Sequence, residues 1–444
     1  MSRLLAIALL ACLGATAHGA DLLAIYQEAV QRDAAYAAAR AAREAGQEAL
    51  PQGLAGLLPT ARLTGSTQIN DRELQLRNGG AATDQRYNSN VWGVTITQPL
   101  FRMQNWYGYE QGKLQVAVAE AQFVQATQDL IVRASQAYFD VLLAEFNVEV
   151  VQTQKRAIAE QLEQAKRNFE VGVATIVDTN EAQARYDLTV SQEITAINDL
   201  EVKKAALAQV IGRNPPPLAK LGTQFQPTPP SPNASDKWVE DAQIGALPVQ
   251  IAQANYDIAG RQVSFNRAGH LPTIDAIASY TDQASGAGIT GGFGSNSKTG
   301  VLGLQLAVPL YQGGLVNSQV RQALANQEKA RQDLENARRT AALNTRQSFL
   351  GVANGVASIR ALEAAVRSSQ SQLDSTRLAR EVGIRTEVDV LNAQTQLSTA
   401  RRDLAQAVYT YLLSTLKLKS AIGALGEDDI VAVNRWLDTN RPAK

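Results

Sequence analysis

Two histidines, His18 and His270, and one cysteine, Cys12, are all that the chain offers for imidazole or thiolate chemistry. They lie far apart in sequence, so no zinc cluster, disulfide or paired redox site is expected within the chain. The Gly-rich stretch 286–294 lacks the helix that a nucleotide fingerprint requires, and no nucleophile motif is present. Catalysis, a metal and a cofactor are therefore not expected. What stands out instead is a motif that occurs twice, Thr175-x-x-Asp178 and Thr386-x-x-Asp389, each just beyond a glycine, Gly172 or Gly383. This is the spacing of a helix-capping box, and glycine admits the left-handed backbone of a helix turn-around.

The motif belongs to a longer duplication. EVGVATIVD at 170–178 recurs as EVGIRTEVD at 381–389, and Ala182-Gln183 and Ile211-Gly212 recur at the same offset as Ala393-Gln394 and Ile422-Gly423. Upstream, Leu58-Pro59-Thr60 corresponds to Leu271-Pro272-Thr273, and Gln98-Pro99-Leu100-Phe101 to Val308-Pro309-Leu310-Tyr311. Each half thus has the same parts in the same order. Ala-rich helical segments, 22–49 and 239–269, end near Pro59 and Pro272, where proline limits helix continuation. Two strands follow in each half, about 60–76 and 88–100, then 273–283 and 299–310. Leu63, Gly65, Thr67 and Ile69 alternate, as do Trp92, Val94 and Ile96, then Ile274, Ala276, Ala278 and Tyr280, and Leu302, Leu304, Leu306 and Val308. The connections 77–87 and 284–299 are Gly/Ser/Asn-rich hairpin tips.

Proline-free stretches, 102–170 and 312–381, then read as helices of roughly 70 residues, about 105 Å at 1.5 Å per residue. Val132, Phe139, Leu142 and Phe146 carry the spacing of a coiled-coil seam. Shorter helices return from the two tips, 176–211 and 387–422. A Pro-rich connector, 213–237, and the C-terminal segment, 424–444, read as an equatorial belt. Repeats of 21–212 and 238–423 result.

Lys+Arg and Asp+Glu are each 42, so no basic surplus exists and nucleic acid is not an expected partner. The N-terminus reads as a signal peptide over 1–20, with Arg3, an apolar run from Leu4 to Leu13, and cleavage after Ala17 or Ala20. Cys12 after Leu9-Leu10-Ala11 loosely suggests lipidation. Only eleven residues would precede that cut, and Leu10 is bulky where a small residue is usual, so the signal peptide is the stronger reading. Beyond it no stretch is expected to cross a membrane as a helix, which leaves a barrel as the spanning element. Four strands cannot close a barrel, and open edges are untenable in lipid, so several copies must contribute. Two copies would give eight strands and three would give twelve. An eight-stranded barrel is filled by its own side chains, so a duct favours three.

The duplicated VG-x-x-T-x-x-D segment, the strand-ending Gln98-Pro99-Leu100-Phe101 and Val308-Pro309-Leu310-Tyr311, and the two-fold helix-strand-strand-helix order resemble the TolC family of outer-membrane efflux proteins. The resemblance covers about 21–423. It implies a mainly α fold with β, long antiparallel coiled-coil helices repeated twofold, and a homotrimer with one twelve-stranded outer-membrane barrel and a periplasmic tunnel. Implied partners are outer-membrane lipid, a periplasmic adaptor (membrane fusion) protein and an inner-membrane pump of the ABC, RND or MFS type. The implied role is the outer-membrane channel of a tripartite export system for drugs, small molecules or secreted proteins.

By the same resemblance the second tip constricts the periplasmic entrance, where three copies of Asp389 would form a ring that attracts cations. Arg385 and Asp178 match positions that hold the entrance shut through a polar link. Asn392 and Arg380 depart from the pattern, standing where a second acidic ring and a constriction tyrosine are usual, which implies a weaker cation site. Val171, Gly172 and Thr175, with Val382, Gly383 and Thr386, are expected to dock the adaptor, and Pro59, Pro99, Pro272 and Pro309 to mark strand-helix joints. Trp92, Phe101, Trp106, Tyr107 and Tyr109 are expected to form an aromatic girdle at a barrel end, and His270 to be structural. A non-transport adhesin-like stalk and an exported enzyme are the rival readings. A stalk would run as one parallel rod, whereas this chain reverses twice.

Overall fold

The computed structural model describes residues 19–75, 82–222, 225–287 and 293–442. The first repeat opens with α1 (Leu22–Arg32), α2 (Ala34–Gln47) and α3 (Ala49–Ala55), followed by β1 (Thr60–Leu74) and β2 (Thr83–Phe101). Next come α4 (Met103–Glu170), one continuous helix of 68 residues, and the returning α5 (Ile176–Ile211). β3 (Ala219–Leu221) lies in the Pro-rich connector. The second repeat supplies α6 (Ser235–Gly245), α7 (Leu247–Arg267), β4 (Thr273–Ala287), β5 (Phe293–Ala307), α8 (Leu315–Glu381) and α9 (Glu387–Ala421), and the chain closes with α10 (Glu427–Asn434) and β6 (Leu437–Pro442).

Several boundaries differ from the sequence-based expectation, each for a local reason. The opening helix is broken at Asp33, whose carboxylate accepts from the Tyr36 N–H at 2.7 Å and so starts α2 afresh. Its counterpart is broken at Ala246, and Pro248 sits in the first turn of α7, where proline's missing N–H costs nothing. α8 begins at Leu315 and not at 312 because Gly313 and Gly314 both hold positive φ, +60° and +80°. β2 and β5 begin earlier than 88 and 299, and β4 runs on to Ala287: the polar residues expected to be loop still pair, since ladder bonds need only backbone. The tips of the two hairpins, 76–81 and 288–292, lie outside the described residues. One correction concerns α8, which contains a window long and apolar enough, by length and composition, to cross a membrane. Its many alanines and valines satisfy such a test although charges interrupt them.

The four long strands form one antiparallel sheet in the order β1-β2-β4-β5. Over the half nearest the prolines one face is apolar, whereas beyond it the same face carries Asp71, Glu73, Asp84, Arg86, Asp282 and Lys298. Leu63 pairs across with Val94, Val94 with Tyr280 and Ala278 with Leu302, so these side chains share a face with Trp92, whose ring lies 5.7 Å from that of Tyr280. The opposite face is polar: Asn70 donates to the Ser89 hydroxyl at 2.9 Å, and Arg72 to Gln85 at 3.1 Å. Apolar-out and polar-in alternation is what a lipid-facing barrel wall requires. Within β2, Trp92 lies nine residues from Phe101, about 30 Å at strand rise. The five aromatics expected in one girdle therefore occupy different levels: Trp92 joins Tyr280, while Trp106 packs 6.2 Å from Tyr109 within α4.

The chain divides into two compact units, one of Ala42–Glu120 with Ile251–Glu335, holding the sheet, and one made of the remainder. Each repeat contributes to both, so the duplication is not a division into domains. The second unit has the main core, in which Leu130, Ile131, Tyr138, Leu207, Ile211 and Ile359 are buried. The seam residues Phe139 and Leu142 belong to it, 2% and 3% exposed. Tyr138 donates to the Ala219 carbonyl at 2.7 Å, tying α4 to the connector, and Arg133 clamps Asp33 through two 3.1 Å bonds. β3 and β6 pair, which joins the connector to the C-terminal segment in one small sheet.

Candidate functional site

The two tips carry the residues singled out in the sequence, and their backbones are the same. At the first, the N–H of Gly172 donates to Phe169 at 3.0 Å and that of Val173 to Asn168 at 2.9 Å; at the second, Gly383 donates to Arg380 at 2.9 Å and Ile384 to Ala379 at 2.8 Å. Both are Schellman endings with glycine at φ +77°, a conformation that costs any other L-residue a clash with its Cβ. Extended Thr175 and Thr386 then start α5 and α9 with complete capping boxes. The Asp178 carboxylate accepts from the Thr175 N–H and hydroxyl, both at 2.8 Å. Asp389 accepts from Thr386 in the same way, at 2.9 Å.

Those bonds set the charge state. Hydrogen bonds from the Thr175 backbone and side chain hold the Asp178 carboxyl below the usual aspartate range. Thr386 does the same for Asp389, with Arg385 adding attraction. Both remain anionic at neutral pH. Arg385 pairs with Asp389 of its own tip at 3.8 Å, one helical turn away, and forms no bond with Asp178 among the described residues. The polar link expected of Arg385 and Asp178 is thus not made between them within one chain. Arg380 lies in the last turn of α8 and is exposed, as is Asn392 on α9.

Around this charge the tips expose apolar side chains: Val171 and Val173 are 71% and 74% exposed, Val382 and Ile384 64% and 77%. Behind the first tip lies a cleft of about 210 Å³ lined by Asn168, Asp178, Glu181 and Arg185 of the first repeat and by Val388 of the second. Arg185 and Glu181 pair there at 2.6 Å. Sequence reasoning missed these two residues. Their spacing of four on one helix face signalled an ion pair, but not that Val388 would approach them. No group of three or more metal-ligating side chains exists among the described residues.

The joints are more elaborate than their prolines suggested. Pro59 and Pro272 immediately precede β1 and β4, Pro309 follows β5, and Pro99 sits at a register shift in β2. Beside it Gln98 donates to the Leu57 carbonyl at 2.9 Å. Arg102 grips Asp275, 5% exposed, with bonds of 2.8 and 2.5 Å. His270 contacts Asn317 at 3.2 Å, a joint contact consistent with a structural role.

Comparison with known proteins places this geometry. The profile of the outer membrane efflux protein family matches residues 25–213 and 238–424. The outer membrane protein TolC of Vibrio cholerae is 33% identical over 443 residues, covering 98% of this chain and 99% of that one. TolC of Escherichia coli is 35% identical over 429 residues, 94% of this chain and 85% of its own. Among solved structures, the Campylobacter jejuni CmeC outer membrane channel superimposes with a TM-score of 0.78 at 17% identity, covering 94% of this chain and 90% of that one.

Proposed function

The chain belongs to the outer membrane efflux protein family, and from that premise we propose that three copies pool their sheets into one twelve-stranded barrel whose helices continue as a periplasmic tunnel. It is an outer-membrane channel of the kind that serves tripartite efflux and secretion systems. The observation that carries closure between copies is the sheet itself: β1 and β5 are edges, one face is apolar over the half nearest the prolines, and an open edge in lipid would leave every second backbone group without a partner, while the family and the width a duct needs favour three copies. Joining the β5 edge of one copy to the β1 edge of the next removes all edges.

In this reading the protein is a conduit and not a catalyst. The exposed valines and isoleucine around Gly172 and Gly383 dock the periplasmic adaptor, which links the duct to an ABC, RND or MFS pump. That pump sets whether the cargo is a drug, a small metabolite or a protein. The residue scheme stays with its repeats: 21–212, 238–423, and an equatorial belt of 213–237 with 424–444. At the entrance Asp389 forms the ring that concentrates cations. Asp178 and Arg385 latch the closed state, and Arg385 is held ready by Asp389.

Single-channel current through the purified full-length protein in planar bilayers tests this. A conducting trimer is expected, with Arg385→Ser and Asp178→Ser each enlarging the open signal. A monomer without current ends the duct reading, and unchanged conductance in both variants removes the latch.

A further inference from the structure

We propose that the barrel lumen carries a ring of three guanidinium groups, one Arg62 from each copy, that forms a binding site for multivalent anions. The proposal rests on the trimeric duct read above. It starts from the register. Arg62 lies opposite Thr95, Thr95 opposite Ser279, and Ser279 opposite Val301, so all four point to one side of the sheet. That side also holds the bonded pairs Asn70 with Ser89 and Arg72 with Gln85, and not the apolar run of Leu63, Val94, Tyr280 and Leu302. With the apolar face toward lipid, Arg62 faces the water-filled interior.

The duplication explains why its charge is left over. Arg62 is the third residue of β1 and Asp275 the third residue of β4, equivalent positions of opposite charge in the two repeats. They would balance, except that Arg102 takes both oxygens of Asp275. Arg102 itself has no equivalent, since Gln312 stands at the matching place after Tyr311. Each copy therefore brings two arginines and one aspartate to the base of the sheet, and Arg62 forms no hydrogen bond or ion pair among the described residues. On the whole polar face the charged side chains within β1, β2, β4 and β5 are Arg62, Arg72 and Asp275. A water-filled passage lined by one sign of charge concentrates the opposite ion. Guanidinium presents donors that fit phosphate-type oxygens in pairs.

The ring's sign is opposite to that of Asp389 at the tip. Three unit charges acting through water at about one Debye length change the local concentration of a monovalent ion roughly two- to threefold. A multivalent anion should respond more strongly.

Bilayer recordings on the full-length trimer, its assembly checked by native mass spectrometry, test the ring. Inorganic tripolyphosphate added from the extracellular side should block current in the wild-type channel. Arg62→Gln should weaken that block by about tenfold, and raise the potassium-to-chloride permeability ratio roughly two- to threefold, while Arg62→Lys keeps most of both. Absence of block in the wild type, or equal block in wild type and Arg62→Gln, overturns the ring while the duct stands. Failure to form a conducting trimer in the wild type overturns the duct, and the ring with it.

Discussion

The two tips share one backbone and wear different surfaces. Gly172 and Gly383 have the same φ, the hydrogen bonds around them match partner for partner, and each capping box is complete. The first tip nevertheless has Ile176, 51% exposed, where the second has Glu387, and Val177 is 67% exposed against 37% for its counterpart Val388, while the second tip places Arg385 against Asp389. Behind the second tip Leu373, Val390, Ala393 and Leu397 form a buried cluster of their own. The lesson is that a glycine and a threonine-aspartate box fix the turn, which frees the remaining positions to differ. The first tip has the more apolar rim, and the second carries Arg385 and Glu387 beside its capping aspartate.

That equivalence of backbone can be broken most directly at the glycines. Gly172→Ala and Gly383→Ala should each cost about 1 kcal/mol locally through the left-handed φ. Amide exchange over 168–178 and 379–389, followed by mass spectrometry, should then accelerate roughly fivefold, equally at both tips. Unequal acceleration would show that something other than the turn holds one of them.

The difference of surface is sharpened by the aspartates. Asn can still cap, so Asp389→Asn and Asp178→Asn remove charge and keep the turn. In bilayers the potassium-to-chloride permeability ratio should fall about twofold for Asp389→Asn and change little for Asp178→Asn. Equal falls would place both tips on the ion path.

The smallest effect concerns acid. Both carboxyls titrate below the ordinary 3.8, so the caps contribute their full stability above that value and lose it only as pH falls through the lowered folded values. Exchange protection at the tips, corrected for intrinsic rates, should be flat from pH 7 to about 5 and decline below 3.8.

Much of the fold was legible because its signals are local. Strand parity, the tip glycines and the Thr-x-x-Asp boxes each act over a few residues, and duplication let one half check the other. The candidate site was legible only in part: the boxes were readable, but the cleft beside Val388 and the partner chosen by Arg385 were not. Within the chain Arg385 pairs with Asp389, one turn away, a contact that the resemblance had not implied.

The sequence by itself therefore determined the two-fold plan, the placement of both turn-arounds and which strand residues are apolar, since periodicity and capping are properties of short segments. Tertiary structure decided what depends on pairing across long separations. The order β1-β2-β4-β5 gathers Arg62, Thr95 and Ser279 into one row, Arg102 reaches Asp275 across 173 positions, and Tyr138 finds the Ala219 carbonyl. Charges and donors of one type are interchangeable along a sequence, and only register and packing select which of them meet.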